Sequence, residues 1–328
     1  MKLAKIFTDN MVFQAEKPVC FFGSGKGKVI ITLNDVSYEQ AFSDESWVME
    51  LPPQPYGGPY DITVCLQDEQ ILLKNVAFGD VFLCSGQSNM QFELREEVGA
   101  NPVKTDEKIR YFCSDRIEAH DGIKSADGWL LCKEDEIRNW TALGAHIAEK
   151  YRENKDVFVG IVGCFQGASV IRSWMPQRKL DAEIYVPLEE RHGDSRSEWF
   201  KLWNQDSQLY SFTFLPLVPF AFHSVVWYQG ESNTYGKESI LYTKMLARMI
   251  DAWREDLKDS ALPFVIVEIC DYDNRRDEAW YTVQRCQQEA AKIIKNVVTV
   301  TSKDVCEPFE IHPANKEELA KKIVAELL

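Results

Sequence analysis

The sequence contains no apolar run long enough to cross a membrane, and it is short of positive charge. A membrane-spanning helix needs roughly 20 consecutive apolar residues, and no stretch of this chain approaches that length. Its 328 residues include 37 Lys and Arg against 51 Asp and Glu, so the formal net charge is −14. Nucleic-acid binding and attraction to anionic membranes both depend on basic surfaces. We therefore expect no nucleic-acid partner and no membrane partner.

The chain also lacks the cysteine spacing of a metal or redox site. Its nine cysteines are scattered and include no C-x-x-C pair, so the sequence does not support a zinc or thiol-redox centre. Several of them end or follow apolar runs, where cysteine behaves as a small hydrophobic side chain. Reduced thiols, and an N-terminus without a long apolar segment, predict a cytoplasmic protein. We expect no metal and no organic cofactor.

Residues 1–76 have the pattern of a small all-β domain. Short β-rich runs at 29–33, 47–51 and 60–64 are separated by Gly-rich or Pro-rich turns, as in small sandwiches and barrels. From residue 77, apolar runs alternate with helical patterns, which predicts βαβ units around a mainly parallel sheet. The predicted fold is therefore α/β, with a β-rich N-terminal domain over 1–76 and a larger domain over 77–328.

Within the larger domain, four apolar runs are predicted as strands: 157–162, 224–228, 264–269 and 297–300. Leu246, Met249, Ile250 and Trp253 recur at helical spacing and predict one buried stripe. The segment 315–328 is predicted as a terminal helix. The charged region 93–135 has no clear period, and we interpret it as loops and short helices.

One turn carries the most chemical information. The apolar run 81–84 predicts a buried strand, and the segment 85–90, SGQSNM, follows it. Ligand sites of open α/β sheets lie beyond the carboxyl ends of strands, which makes Ser88 a candidate nucleophile. Such a turn also leaves backbone N–H groups available to hold an anion. The related elbow G-x-S-x-G is not matched, because Asn89 and Met90 follow the serine.

A serine nucleophile needs a base, and the chain has only five histidines. His312 stands out because it follows the last predicted strand and so falls at the same sheet edge as Ser88 if both strands are parallel. Pro313 biases the preceding residues away from helix, and Glu310 is two residues away, where it can orient the ring. The same E-x-H spacing occurs at His120.

The other histidines have ordinary interpretations. We predict a charged-loop residue at His120, a helix-surface residue at His146, a loop residue able to touch substrate at His192 and a structural residue at His223. Two further polar turns, 163–169 and 228–233, follow predicted strands and contain the glycines and amides that suit oxyanion donors. The alternative is that both are simple strand-to-loop turns.

Five segments in order resemble motifs of the sialate O-acetylesterases, a branch of the SGNH-type esterases. They are residues 6–14, Gly57-Gly58-Pro59-Tyr60, residues 79–90, residues 227–233, and Ile311-His312-Pro313 with Asn315-Lys316. The resemblance runs along nearly the whole chain. It implies an SGNH-hydrolase-like fold and a carbohydrate O-acetylesterase that acts through a serine nucleophile and an acyl-enzyme, on an O-acetylated carbohydrate substrate.

The resemblance also implies roles for the matching residues. Ser88 would be the nucleophile and His312 the general base, oriented by Glu310 or, as a back-up, by Asp304. The oxyanion donors would be the amides of Ser88 and Gly167 and a side chain of either Gln229 or Asn233. Substrate contacts would come from Gln87, Arg172, Trp174 and Glu231, with Arg172 meeting a carboxylate and Trp174 stacking on a sugar.

Two positions depart from the family pattern. Gln166-Gly167 stands where the family often has Gly-Gly, and Glu310 stands where it often has Asp. Two alternatives remain open: an esterase for acetylated xylan or another plant glycan, and a carbohydrate-binding protein with impaired catalysis. The sequence leaves the oligomeric state open.

Overall fold

The computed structural model describes residues 1–118, 122–124, 127–134, 136–187 and 198–328. Its strands are β1 (Lys2–Leu3), β2 (Val12–Gln14), β3 (Val19–Ser24), β4 (Gly27–Leu33), β5 (Val36–Phe42), β6 (Ser46–Leu51), β7 (Gly57–Leu66), β8 (Glu69–Gly86), β9 (Asp106–Cys113), β10 (Arg116–Glu118), β11 (Gly122–Lys124), β12 (Leu130–Cys132), β13 (Phe158–Phe165), β14 (Ser224–Tyr228), β15 (Phe264–Glu268) and β16 (Val297–Thr301). Its helices are α1 (Ser88–Gln91), α2 (Ala142–Asn154), α3 (Glu198–Trp203), α4 (Gly236–Asp256), α5 (Glu278–Ile293) and α6 (Glu317–Leu327).

Six neighbouring strands of the main sheet run parallel, in the order β9-β13-β8-β14-β15-β16. Strands β14 and β15 are buried along their whole length and β13 along nearly all of it, as expected for a parallel sheet covered by other elements. The short β12 adds an antiparallel edge beside β9. The predicted α/β class with flanking helices is confirmed, and the sheet is mixed with a parallel centre. All carboxyl ends of the six strands therefore lie at one edge.

Strand β8 joins the two halves of the chain. Its first part pairs antiparallel with β7, and its second part lies between β13 and β14. The regular secondary-structure elements of residues 1–76 are all strands. Three of them, β1, β3 and β6, make a separate three-stranded sheet. The predicted boundary at residue 76 falls inside β8, so a separate N-terminal domain stays a prediction.

The helices pack in pairs beside the sheet, α2 on α6 and α4 on α5. The predicted stripe of α4 is confirmed, because Leu246, Met249, Ile250 and Trp253 are all fully buried. Trp253 stacks on Phe214 with ring centroids 3.9 Å apart. In the described ranges, no helix has both the length and the apolar character needed to span a membrane.

The region 93–135 differs from its prediction. It contributes β9, a full parallel strand of the main sheet, and the edge strand β12. Charged residues open β9, whereas 109–112 are buried. The buried part, Ile109 to Phe112, is interrupted by the charged Arg110, so no apolar run identifies this strand from the sequence.

Candidate active site

Ser88 and His312 meet at the carboxyl edge of the parallel strands. Ser88 begins α1 just beyond the end of β8, and His312 lies in the loop between β16 and α6. The Oγ of Ser88 and the Nε2 of His312 are 2.8 Å apart, although 224 positions separate them in the sequence. This is the distance at which an imidazole can remove the proton of a serine hydroxyl.

The turn before Ser88 depends on a glycine. Gly86 has φ of 138°, and a Cβ at this position would lie 2.0 Å from the carbonyl oxygen of Tyr228 on the neighbouring strand. Only glycine tolerates both this backbone conformation and this approach. The next amide, that of Gln87, donates to the same carbonyl at 2.9 Å. The chain therefore turns sharply, and Ser88 becomes the first helical residue, whose N–H has no acceptor within the helix.

Gly167, the second predicted oxyanion donor, lies next to Ser88. A Cβ on Gly167 would be 3.9 Å from the Cβ of Ser88. Its amide donates to the Oε1 of Gln91, at 2.8 Å. The Gly167 amide is thus in place, but it can reach an oxyanion only when Gln91 releases it.

Gln229 and Asn233 do not face the cleft. The Nε2 of Gln229 donates to the Oε1 of Gln87 (3.1 Å), the carbonyl of Ser169 (2.9 Å) and the Oδ1 of Asn233 (2.8 Å). The Nδ2 of Asn233 donates to Glu238 at 3.3 Å. Both side chains are fully buried. The geometry does not support either as an oxyanion donor, since their N–H groups already bond inside the protein.

Arg172 and Trp174 also lie away from the cleft, so the geometry does not support their predicted substrate contacts. The guanidinium of Arg172 binds both oxygens of Asp206, at 3.1 and 2.8 Å, and the carbonyl of Ile184 at 2.6 Å. The indole of Trp174 is fully buried and donates to the Oγ of Ser169 at 3.0 Å. Both residues hold the segment after β13 in place.

Gln87 and Glu231 do line the cleft, but they differ in what they offer. The Oε1 of Gln87 accepts from the amides of Gly230 and Ser232, each at 3.3 Å, so it mainly fixes the turn after β14. Glu231 accepts from Asn89 through Oε1 at 2.6 Å. Its Oε2 has no hydrogen-bond partner among the described residues. Burial raises the pKa of this carboxyl.

Asn89 connects Ser88, His312 and Glu231. Its Nδ2 donates to Glu231 and also to the carbonyl of Ile311, the residue before His312, at 2.9 Å. Its Oδ1 accepts from the Nζ of Lys316 at 2.7 Å. An ammonium only donates, so Lys316 fixes which way the Asn89 amide points. This network keeps the loop of His312 in register with the helix of Ser88.

Lys316 is a fully buried cation behind the reacting pair. Its Nζ lies 4.9 Å from the ring centroid of Phe92 and 5.7 Å from that of Tyr228. Burial lowers its pKa to about 8. Desolvation and the charge of Lys316 lower the pKa of His312, while Glu96 and Glu310 oppose them. A lowered pKa keeps His312 neutral, which is the form that acts as a base.

The orienting acid predicted for His312 is not in contact with it. Within the described residues, no carboxylate forms a hydrogen bond or ion pair with the His312 ring. Glu310 is exposed, and Asp304 pairs with Lys322 at 2.6 Å. The pair therefore stands as a Ser-His dyad in this arrangement, and the roles assigned to Glu310 and Asp304 stay predictions.

The remaining histidines lie elsewhere. His146 is fully buried, which corrects its predicted surface position. Its Nε2 lies 2.8 Å from the carboxylate of Glu97. Burial lowers the pKa of His146, but the carboxylates of Glu149 and Glu97 outweigh burial and raise this pKa to about 9. His223 packs edge-on against Phe82 as a structural residue. His120 and His192 lie outside the described residues.

Ser88 and His312 line an open cleft of about 710 Å³. Polar residues Gln87, Gln91 and Glu231 lie with them. Aromatic rings make up much of the rest of the wall: Trp203, Tyr235, Tyr272 and Trp280. No cluster of His, Cys, Asp and Glu suited to a metal ion occurs among the residues that the structure describes.

Comparisons with known proteins identify the family of this chain. A family model described as carbohydrate esterase, sialic acid-specific acetylesterase, matches residues 78–322. The mouse sialate O-acetylesterase is 26% identical over 336 residues, which cover 85% of this chain and 62% of the mouse protein. The human sialate O-acetylesterase is 24% identical over 379 residues, covering 98% of this chain and 69% of the human protein. The chain thus spans about two thirds of the length of these relatives.

Solved structures show the same fold. A carbohydrate acetylesterase from Xanthomonas citri superposes with a TM-score of 0.83 at 24% identity, over 99% of this chain and 74% of that one. At these levels of identity the likeness concerns the fold alone. The N-terminal strands are included in the matched region, since it covers nearly the whole chain.

Proposed function

This chain belongs to the family of sialic acid-specific carbohydrate acetylesterases, and we propose that it removes acetyl groups from O-acetylated sugars through a serine nucleophile. The observation that carries the proposal is the 2.8 Å contact between Ser88 and His312 at the wall of an open cleft. The SGNH-type assignment is part of this proposal. The cytoplasmic localisation predicted from the cysteines stays a prediction.

The reaction follows from the positions of the side chains. His312 takes the proton of Ser88 as Oγ attacks the acetyl carbonyl carbon. The oxygen that becomes negative is held by the backbone amides of Ser88 and, once Gln91 releases it, Gly167. His312 then gives its proton to the leaving sugar hydroxyl, and the acetyl group remains on Ser88. A water molecule, deprotonated by the same imidazole, attacks this ester; the imidazolium returns the proton to the Ser88 Oγ as the bond to the acyl carbon breaks, and acetate is released.

The proposed substrate is an O-acetylated sialic acid. The family description and the curated relatives support this choice, and the aromatic wall of the cleft suits the apolar faces of a sugar. Acetylated xylan remains the alternative substrate. An inactive carbohydrate-binding protein is less favoured, because Ser88 and His312 are at hydrogen-bond distance.

Acetate release tests the proposal. Purified protein is incubated with 9-O-acetyl sialic acid, with acetylated xylan and with an aryl acetate, and Ser88→Ala is the matched control. We expect release from the aryl acetate and faster release from the sialic acid ester than from xylan, with loss of all activity in the variant. Faster release from xylan would change the substrate class. No release from any ester by folded protein would leave the binding protein as the better assignment.

A further inference from the structure

One of the two amides that face the developing oxyanion is occupied by a side chain of the protein itself. The N–H of Gly167 donates to the Oε1 of Gln91 at 2.8 Å. Gln91 lies three residues after Ser88 on α1, so the two side chains share one face of this helix. A carboxamide oxygen and an ester carbonyl oxygen are both acceptors and compete for a single N–H group. The Gln91 side chain therefore stands where the acetyl oxygen binds in the proposed reaction.

The backbone around Gly167 is held in place on both sides. Gln166 is buried, and its side chain bonds the backbone of β10 twice, as acceptor at 3.2 Å and as donor at 3.0 Å. The Nδ2 of Asn204 donates to the carbonyl of Ala168 at 2.9 Å. The Gly167 amide therefore keeps its position, and Gln91 is the partner that gives way.

The Gln91 side chain is held less firmly than the backbone that carries it. The carbonyls of Met90 and Phe92, on either side of it, accept from the Thr141 hydroxyl and from the first amide of α2, at 2.5 and 2.8 Å. Within the described residues, the contact with Gly167 is the one hydrogen bond of the Gln91 side chain. A single neutral hydrogen bond contributes little net free energy when another acceptor can replace it. Rotation of the side chain alone can therefore release the amide.

Gln91 also lines a second cavity, of about 140 Å³, in addition to the cleft of Ser88. The other walls of this cavity include the rings of Tyr111 and Trp140 and the polar side chains of Glu93 and Asn139. One water molecule needs roughly 15 Å³ of such space, so a carboxamide group fits. The polar side chains can bond that group once it has left Gly167.

We propose that Gln91 closes the oxyanion hole of the free enzyme, and that the acetyl carbonyl opens it by displacing the Gln91 side chain into the second cavity. This inference rests on the proposed function and concerns the control of its active site. Each turnover then includes the loss of one hydrogen bond, which lowers kcat/KM below the value of a permanently open site. Gln91 acts on the reaction through Gly167 and is not itself a catalytic residue.

The experiment varies the acceptor at position 91. Gln91→Met keeps the length of the side chain with only a weak acceptor, Gln91→Ala removes the acceptor, and Gln91→Glu supplies a charged one. The matched controls are Gln177→Met and Gln177→Glu. Gln177 is exposed, does not line the cleft and makes no side-chain hydrogen bond within the described residues. The readout is kcat/KM on an aryl acetate and on 9-O-acetyl sialic acid, with the melting temperature as a check on folding.

We expect Gln91→Met and Gln91→Ala to raise kcat/KM by roughly 2- to 10-fold on both substrates, because the half-buried Gly167 amide then bonds water that the substrate displaces. Gln91→Glu should lower kcat/KM by roughly 10- to 100-fold, because a carboxylate accepts more strongly and its charge repels the oxyanion. The Gln177 variants should match the wild type. A residue that only supports the fold loses activity with every substitution, so the opposite signs identify a blocking contact.

Three results would overturn the inference. Folded Gln91→Met and Gln91→Ala with kcat/KM equal to or below that of the wild type would show that Gln91 blocks nothing, while the esterase assignment stands. Should both variants fail to fold, Gln91→Glu, which is closest in size, carries the test, and wild-type activity in it would contradict the inference. If the folded wild-type protein releases acetate from neither ester, the proposed function fails and the inference with it.

Discussion

Buried polar groups lie at both ends of the parallel part of β8, and the two groups differ in how many of their hydrogen-bonding atoms have a partner. Near its beginning, Asp80 accepts from Gln14 (3.1 Å) and Tyr56 (2.9 Å) through Oδ1, and from Tyr151 (2.8 Å) and Lys155 (3.2 Å) through Oδ2. Beyond its end, the hydroxyl of Ser88 faces an open cleft, and one oxygen of Glu231 has no partner within the described residues.

This difference indicates that the cluster around Asp80 stabilises the fold, whereas the cluster around Ser88 takes part in catalysis. A buried carboxylate with four donors is stable where it is and has no capacity left for a ligand. The Ser88 hydroxyl, paired with the neutral imidazole of His312, can still bind a ligand, and so can the Glu231 oxygen that has no partner within the described residues. This capacity lowers the stability of the fold. Substitutions at the two ends should therefore affect different quantities.

The largest effect is expected on catalysis at the carboxyl end. Ser88→Ala or His312→Ala removes the nucleophile or its base, and each should lower kcat/KM on an aryl acetate by roughly 10³-fold or more. The melting temperature should stay close to that of the wild type, because neither group satisfies a buried partner beyond the other. A variant that keeps wild-type activity would show that the substituted residue does not take part in catalysis.

The next effect is expected on stability at the other end. Asp80→Asn places an amide N–H₂ where an oxygen accepted two donors, and we expect a loss of about 3 kcal/mol in the free energy of unfolding, measured by urea denaturation. The activity of the folded fraction should persist. Asp304→Asn is the control, since its exposed pair with Lys322 should leave the unfolding curve unchanged. Equal curves for both variants would mean that the cluster around Asp80 does not stabilise the fold.

A smaller effect is expected at Glu231. Glu231→Gln keeps an oxygen for Asn89 and replaces the unpartnered oxygen with a donor. If that oxygen accepts a sugar hydroxyl, kcat/KM on the sugar ester should fall by about tenfold, with a lesser change on an aryl acetate that has no such hydroxyl. Equal losses on both substrates would assign Glu231 to positioning through Asn89.

The smallest effect is expected on the pH dependence of the esterase activity. The pKa of His312 lies below its ordinary value of 6.5 because of burial and Lys316, so activity should persist below pH 6.5 and fall at a lower pH, as the imidazole gains its proton. Lys316→Met removes the cation, which raises the pKa of His312 and moves this acidic limb to higher pH by up to about one unit. Lys322→Met, in the helix α6 that follows Lys316, is the control. An unmoved limb in Lys316→Met would mean that the cation acts only through packing.

The sequence predicted the reacting pair because the two residues follow strands, β8 and β16, that proved to be parallel members of one sheet. It also predicted the α4 stripe, since a helical period can be read directly. It did not predict the fate of Arg172, Trp174 or Gln229. A motif gives the position of a side chain along the chain. The group that binds that side chain in the folded protein, such as Asp206 for Arg172, lies elsewhere in the sequence.

Lys316 and His146 show the same limit in charged residues. His146 was predicted at a helix surface and Lys316 was named only within a motif, and both are fully buried. Their burial follows from groups on other elements, Asn89 for the lysine and Glu97 for the histidine.

The most direct test of the serine mechanism is chemical labelling. The folded protein is treated with an active-site-directed serine reagent, and the modified peptide is identified by mass spectrometry. We expect one adduct, on Ser88, formed much more slowly in His312→Ala and absent in Ser88→Ala. Folded protein that stays unlabelled, or an adduct on a different serine, would contradict the assignment of Ser88 as the nucleophile.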